Sequence, residues 1–233
     1  MSGISKIGVW GDSILKGVVL DEIGGRYRLI QNGAVNAFAQ LFHLEVKNYS
    51  HFGSTAQKGG VLLDRLLHDG FDADMVLLEF GGNDCDFDWA EVSRDPHGDH
   101  QPHTCLEDFT AAMRKMIQAL IEKGIQPVLM TLPPLDAARF FAWITKPKNV
   151  DPDRVLTFLG EKEHIYRHQE RYSRAIEELA YENRLQIVDV RDAFLKLRNL
   201  GDYLCADGMH PNEKGQQIIK EVFTARYLQY AAL

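Results

Sequence analysis

Short runs of apolar, β-prone residues alternate with longer amphipathic stretches along the whole of this sequence, and few architectures accommodate that rhythm. The candidate strands are Lys6–Trp10, Leu44–Tyr49, Met75–Phe80, Pro127–Leu132 and Leu185–Val190. Helix-like segments occupy Ala34–Phe42, Gly59–Leu67, Leu106–Lys123, His164–Asn183 and Asn212–Tyr230. Runs such as Val76-Leu77-Leu78 and Val128-Leu129-Met130 lack polar alternate positions, so both faces of their strands are expected to be buried, as in a parallel sheet covered by helices. The sequence therefore predicts a three-layer α/β/α sandwich. Residues 1–233 are expected to form one domain, since no repeat and no Gly/Ser- or Pro-rich linker divides them.

The composition supports a globular chain. Of 233 residues, 45% are hydrophobic and 25% charged, enough apolar material for a sizeable core. The balance of 26 Lys+Arg against 33 Asp+Glu gives a net charge of −7, which argues against a broad nucleic-acid or anionic-lipid footprint. No apolar run approaches the roughly 18 to 20 residues of a membrane span. The segment Met1–Trp10 has no basic stretch followed by an apolar one, so a cytoplasmic location is expected. Three cysteines, Cys85, Cys105 and Cys205, form no CxxC pair and fit a reducing compartment better than a disulfide framework, although a Cys85–Cys105 bridge is sterically conceivable.

Two segments break the rhythm. Cys85–Thr104 is rich in Asp, His, Pro and Gly, while Pro133–Glu163 carries Phe140, Phe141, Trp143 and Phe158. Both follow the C-terminal ends of candidate strands, where open α/β sheets bind ligands, and both are expected to shape the site.

At the end of the first candidate strand stands Gly11-Asp12-Ser13. A serine presented by a sharp turn at a sheet edge is well placed as a nucleophile, although the same tripeptide also serves as a turn or helix cap. A serine hydroxyl needs a base to take its proton, and the base needs a group to fix its tautomer. Asp207-Gly208-Met209-His210-Pro211 supplies both types three residues apart. Pro211 restricts His210 to extended geometry and suits the first turn of a following helix. Helix capping beside an exposed histidine is the plainer reading of the same residues. An oxyanion would need donors. Glu79-Phe80-Gly81-Gly82-Asn83-Asp84 and the Gly53 segment, both after strands, offer a side-chain amide and a flexible backbone N–H, or else are ordinary turn glycines with an Asx turn.

Taken in order, Gly11-Asp12-Ser13, Gly53, Gly81-x-Asn83-Asp84 and Asp207-x-x-His210 resemble the four signature blocks of the SGNH hydrolases, the GDSL esterase/lipase family. The resemblance spans about residues 6 to 223. It implies a flavodoxin-like fold with five parallel strands in the order 2-1-3-4-5. It also implies a catalytic triad of Ser13 as nucleophile, His210 as general base and acid, and Asp207 as its partner. The oxyanion hole it implies is formed by the backbone N–H of Ser13, that of Gly53 and the amide of Asn83. The longer lipase consensus is not followed, because Ile14-Leu15-Lys16 comes after the serine. The implied activity is hydrolysis of carboxylic esters through an acyl-enzyme, with no cofactor and a small-molecule ester as partner. Nucleic acid and a membrane span are not expected, and both a monomer and a homo-oligomer stay open.

Other features compete. His97, His100 and His103 recur at three-residue spacing, but Pro and Gly interrupt any regular face, so a polar solvated loop is expected there and no metal site. Phe140, Phe141 and Trp143 are read as packing in at least one case and as substrate contact in another. Lys146, Lys148 and Arg154 are read as a solvated face. An acetylesterase acting on carbohydrate or another small metabolite is the alternative enzyme, distinguished by preference for acetyl esters. A flavodoxin-like binding module is the non-enzymatic alternative. Neither GxGxxG nor GxxxxGK[ST] occurs to support it, and the absence of GxSxG argues against the larger α/β-hydrolase fold.

Overall fold

The computed structural model describes residues 4–21 and 25–231. The Met1–Gly3 end, part of the segment expected to lack a leader, lies outside the described residues. Five strands, β1 (Lys6–Trp10), β4 (Glu45–Asn48), β5 (Met75–Leu78), β6 (Gln126–Met130) and β7 (Gln186–Val188), form one sheet in the order β4-β1-β5-β6-β7. Every pairing in it is parallel. Counted within the sheet, the order is the expected 2-1-3-4-5. The labels differ because β2 (Val18–Leu20) and β3 (Tyr27–Leu29) pair antiparallel with each other as a separate ribbon, outside the five strands expected from the sequence.

Alternation along the strands divides the interior into two layers. On one face Trp10, Val76, Leu78 and Leu129 pack against α3 (Ala56–His68), α5 (Leu106–Glu122) and α8 (Glu163–Asn183). On the other Ile7, Val9, Leu77, Val128 and Met130 meet α1 (Ser13–Lys16), α2 (Ala34–Phe42), α9 (Val190–Leu195) and α10 (Glu213–Ala231). Each helix turns one apolar stripe inward, as Ala56, Gly59, Leu63 and Leu67 do in α3. Apolar side chains on both faces explain the unbroken apolar runs: such strands have no wet side.

The sequence-based boundaries need small corrections. The fifth strand stops at Val188 because the Asp189 carboxylate accepts from the Asp192 N–H and starts α9. The last helix begins at Glu213, with the Asn212 side chain accepting from the Lys214 and Gly215 N–H groups. Pro211 therefore lies ahead of that helix and bridges to Leu204 instead of occupying its first turn.

The two rhythm-breaking segments fold onto each other. α4 (Trp89–Arg94), α6 (Ala137–Ile144) and α7 (Pro152–Leu159) enclose a third apolar cluster built on Val92, Phe140, Phe141, Ile144, Val155 and Leu159. Met209, next to His210 in the chain, packs against that cluster. Phe140 and Phe141 are thus packing residues. Lys146 lies over the Trp143 ring, and Arg154 is held by the Ser93 and Arg94 carbonyls.

Candidate active site

Parallel strands place their exits on one edge, and the chemistry-bearing residues collect there. β1 runs into a turn whose Asp12 caps α1, its Oδ1 accepting from the Ile14 N–H at 2.8 Å. That turn sets Ser13 at the first position of the helix, 5% exposed. Ser13 Oγ lies 2.8 Å from His210 Nε2, and His210 Nδ1 lies 2.8 Å from Asp207 Oδ2. Asp207 Oδ1 accepts from the backbone N–H groups of Met209 and His210 at 2.9 and 3.0 Å. Burial pushes the Asp207 carboxyl up, but the His210 hydrogen bond and charge and the two backbone donors outweigh it and hold the group below its ordinary value. An ionised Asp207 accepts from Nδ1–H, and the tautomer left to His210 carries a free lone pair on Nε2 towards the serine.

Gly208 is what lets this loop close. Its φ is +72°, and a Cβ there would fall 2.7 Å from the Phe140 nitrogen and 2.8 Å from the Asp136 carbonyl oxygen. The Gly208 carbonyl in turn accepts from the Asp136 N–H, so the His210 loop is tied to the start of α6.

Asn83 and Gly53 approach by different routes. The Asn83 amide donates to Asp12 Oδ2 at 2.9 Å, which brings it beside the Ser13 turn and leaves its second N–H for another acceptor. Asp12 is itself buried, as is Glu79, whose Oε2 accepts from the Asp12 N–H at 3.3 Å. Burial first, and then the charge of Asp12, raise the Glu79 carboxyl well above its ordinary range. Burial raises the Asp12 carboxyl as well, but it has two N–H donors to Glu79's one, so Glu79 is the member of the pair pushed further toward its protonated form. Asp84 faces the Ala56 N–H with both oxygens and is pushed up to about 6, chiefly by burial. Gly53 has φ +69° in the turn after β4. That turn is fastened to the serine turn through His51 N–H to the Gly11 carbonyl at 3.1 Å. The place of Gly53 at the shared edge rests on this connection.

Several participants were not singled out from the sequence. Tyr27 Oη donates to Asp207 Oδ2 at 3.1 Å, and its ring centroid is 5.0 Å from that of His210. Phe52, 57% exposed, lies parallel to the His210 ring at 6.2 Å. Glu79 carried a signal only as a polar residue at the end of an apolar run. Beside the site, Gly82, Phe87, Leu135, Phe140, His168 and Met209 line a small cavity under the third cluster. His168 is pushed down to about 4, burial being the main cause.

The competing features fall elsewhere. His100 Nε2 engages the Asp95 carbonyl and His103 Nδ1 the Asn83 carbonyl, and among the described residues no group of three or more His, Cys, Asp or Glu is arranged to hold a metal. No disulfide joins Cys85, Cys105 or Cys205 among the described residues. No helix among the described residues is long and apolar enough to cross a membrane.

Comparison with known families adds an independent observation: the model of the GDSL-like lipase/acylhydrolase family matches residues 9–218. The chain belongs to that family. This GDSL-family chain is accordingly a hydrolase acting on ester bonds. Solved structures share its fold: a lipase/acylhydrolase from Enterococcus faecalis at TM-score 0.67 and 19% identity, covering 95% of this chain and 94% of that one. A catalytic mutant of an acetylxylan esterase from Geobacillus stearothermophilus aligns at TM-score 0.62 and 20% identity, covering 97% and 96%. A psychrotrophic esterase from Pseudoalteromonas sp., inhibited by monoethylphosphonate, aligns at TM-score 0.62 and 16% identity, covering 98% and 100%. At these identities the likeness speaks for the fold alone. No curated protein matches the chain significantly.

Proposed function

We propose that this GDSL-family hydrolase cleaves carboxylic esters of small molecules through a covalent acyl-enzyme on Ser13. The observation that carries the reading is the pair of 2.8 Å contacts through one imidazole ring, Ser13 Oγ to His210 Nε2 and His210 Nδ1 to Asp207 Oδ2. Ser13 Oγ attacks the ester carbonyl while His210 Nε2 takes its proton. The imidazolium, stabilised by Asp207, then protonates the departing alcohol. A water deprotonated by His210 attacks the acyl-enzyme, and the acid leaves as Ser13 regains its proton. The tetrahedral oxyanions are held by the Ser13 and Gly53 N–H groups and the free amide N–H of Asn83. The chain's own groups handle every proton and charge in this scheme.

Residues 1–233 act as one domain in this reading, with the segments 85–104 and 133–163 shaping the substrate site through the cavity beside Met209. A second reading, an acetylesterase acting on carbohydrate or another O-acetylated metabolite, draws on the exposed Phe52 ring beside His210, which offers a face to the apolar side of a sugar, and on the small size of that cavity. A panel of acyl esters, acetylated sugars included, assayed with wild type and Ser13→Ala tests both. Loss of turnover in Ser13→Ala together with phosphonate labelling of Ser13 in wild type is expected, and undiminished turnover by purified Ser13→Ala rejects the nucleophile. Acetyl esters far ahead of longer chains would favour the second reading.

A further inference from the structure

The ribbon β2–β3 contributes nothing to the sheet, yet it delivers one side chain to the triad. Tyr27 Oη donates to Asp207 Oδ2, the same oxygen that accepts from His210 Nδ1. The Trp143 ring, from α6, meets the Tyr27 ring edge to face at 6.3 Å. Burial and the charge of Asp207 push the Tyr27 phenol upward, so it remains a donor throughout the range in which an esterase works. The line of hydrogen bonds therefore extends one member beyond the three triad residues, from Ser13 and His210 through Asp207 to Tyr27 of the ribbon.

We infer that Tyr27 is a positioning residue for the triad, holding the Asp207 carboxylate and withdrawing part of its charge from His210, while its ring screens the imidazole from water. This rests on the triad reading above. A second donor on Oδ2 spreads the negative charge that would otherwise act on Nδ1–H, so the imidazolium is stabilised less. The other ionisable groups near this pair are few. Asp12 acts on His210 through space from the α1 turn, Cys205 lies beside Tyr27, and Arg139 of α6 packs along Gly208 with its guanidinium turned to the Gly201 carbonyl and Asp136. Tyr27 Oη and His210 Nδ1 both engage Asp207 Oδ2, so removing the tyrosine hydroxyl changes that oxygen while leaving the histidine contact in place.

The test compares kcat/KM against pH for wild type and Tyr27→Phe on p-nitrophenyl acetate, with melting temperatures alongside. In Tyr27→Phe the ring stays and the hydroxyl goes. The acidic limb is expected to move to higher pH by about half a unit, and kcat to fall about threefold to tenfold with KM nearly unchanged, the loss of one hydrogen bond. A Tyr27→Phe profile superimposable on wild type, or one lowered equally at every pH with a fall in melting temperature, overturns the inference. If Ser13→Ala keeps wild-type turnover, the triad reading has failed. If Ser13→Ala is inactive and the Tyr27→Phe limb does not move, the triad stands and only the role of Tyr27 falls.

Discussion

Ser13 Oγ and His210 Nε2 meet at 2.8 Å across 197 residues of sequence, and neither carries the local structure that brings it there. The serine is placed by the exit of β1 and the Asp12 cap of α1. The histidine is placed by a loop that Gly208 bends, that Asp207 holds from inside, and that the Asp136 N–H fastens to α6. The contact thus depends on the sheet bringing two independently built turns to one edge.

Asp207→Asn should lower kcat by about a thousandfold to ten-thousandfold with little change in stability. The direction follows from the donors around the carboxylate. Met209 and His210 N–H both point at Oδ1, so an asparagine keeps its carbonyl oxygen there and turns its NH2 towards His210 Nδ1. Nδ1 must then accept, Nε2 carries the proton, and the serine loses its base. Steady-state turnover of p-nitrophenyl acetate checks this, and a loss below tenfold would sink the tautomer argument.

Asn83→Ala should cost about a hundredfold to a thousandfold in kcat with KM little changed, the usual consequence of removing one oxyanion donor. The bond to Asp12 fixes the amide, and that same bond means the alanine also strips a donor from a buried carboxylate. Thermal denaturation run in parallel separates the two effects. A variant that melts like wild type yet retains full kcat would remove Asn83 from the oxyanion hole.

How far the sequence led depends on how much local signal each part carries. Ala34–Phe42 and Lys6–Trp10 coincide with the observed helix and strand because a strong apolar stripe and a β-prone run each mark their own ends. Ser13, Asp207 and His210 were named through the family resemblance of short motifs that read equally as turns and caps, and the structure brings their side chains within hydrogen-bond distance of one another. The ribbon was not, because three-residue strands such as Tyr27-Arg28-Leu29 are too short to establish a period. Tyr27 acquires its meaning only from Asp207, 180 residues away. Glu79 reads as the polar end of an apolar strand until its burial against Asp12 is visible.

Asp84→Asn should stabilise the protein at pH 7.5 relative to wild type, and the advantage should shrink as the pH falls to 4.5. The Asp84 carboxyl titrates at about 6 in the folded chain against an ordinary 3.8. Between those values the folded state binds more protons than the unfolded one, so stability falls as pH rises through the window and the ionised form carries the full cost above it. Asparagine removes that cost, on the order of 1–2 kcal/mol after allowance for its lost acceptor. Paired denaturation curves at the two pH values decide the matter. Equal differences at both would show that burial does not govern this carboxyl.

Gly59→Ala should destabilise the fold even though alanine is the better helix former. In a solvent-exposed helix the exchange would gain about 1 kcal/mol. Here the α3 helix lies directly on the ring of Phe80, and a Cβ at position 59 would fall 2.2 Å from its Cζ. Phe80 is fully buried in the layer beneath α3 and α5, so the ring has no free space to enter and the helix must lift. The expected net loss is about 1–3 kcal/mol, the range for overpacking a filled core. Because Phe80 leads directly into Gly81, Gly82 and Asn83, the displacement is also transmitted to the amide beside Ser13, and kcat should fall in the same variant. Gly60→Ala is the control, since its Cβ would meet only the flexible Met116 side chain at 3.6 Å. If chemical denaturation found Gly59→Ala as stable as Gly60→Ala, the close contact between α3 and Phe80 would not be what requires a glycine.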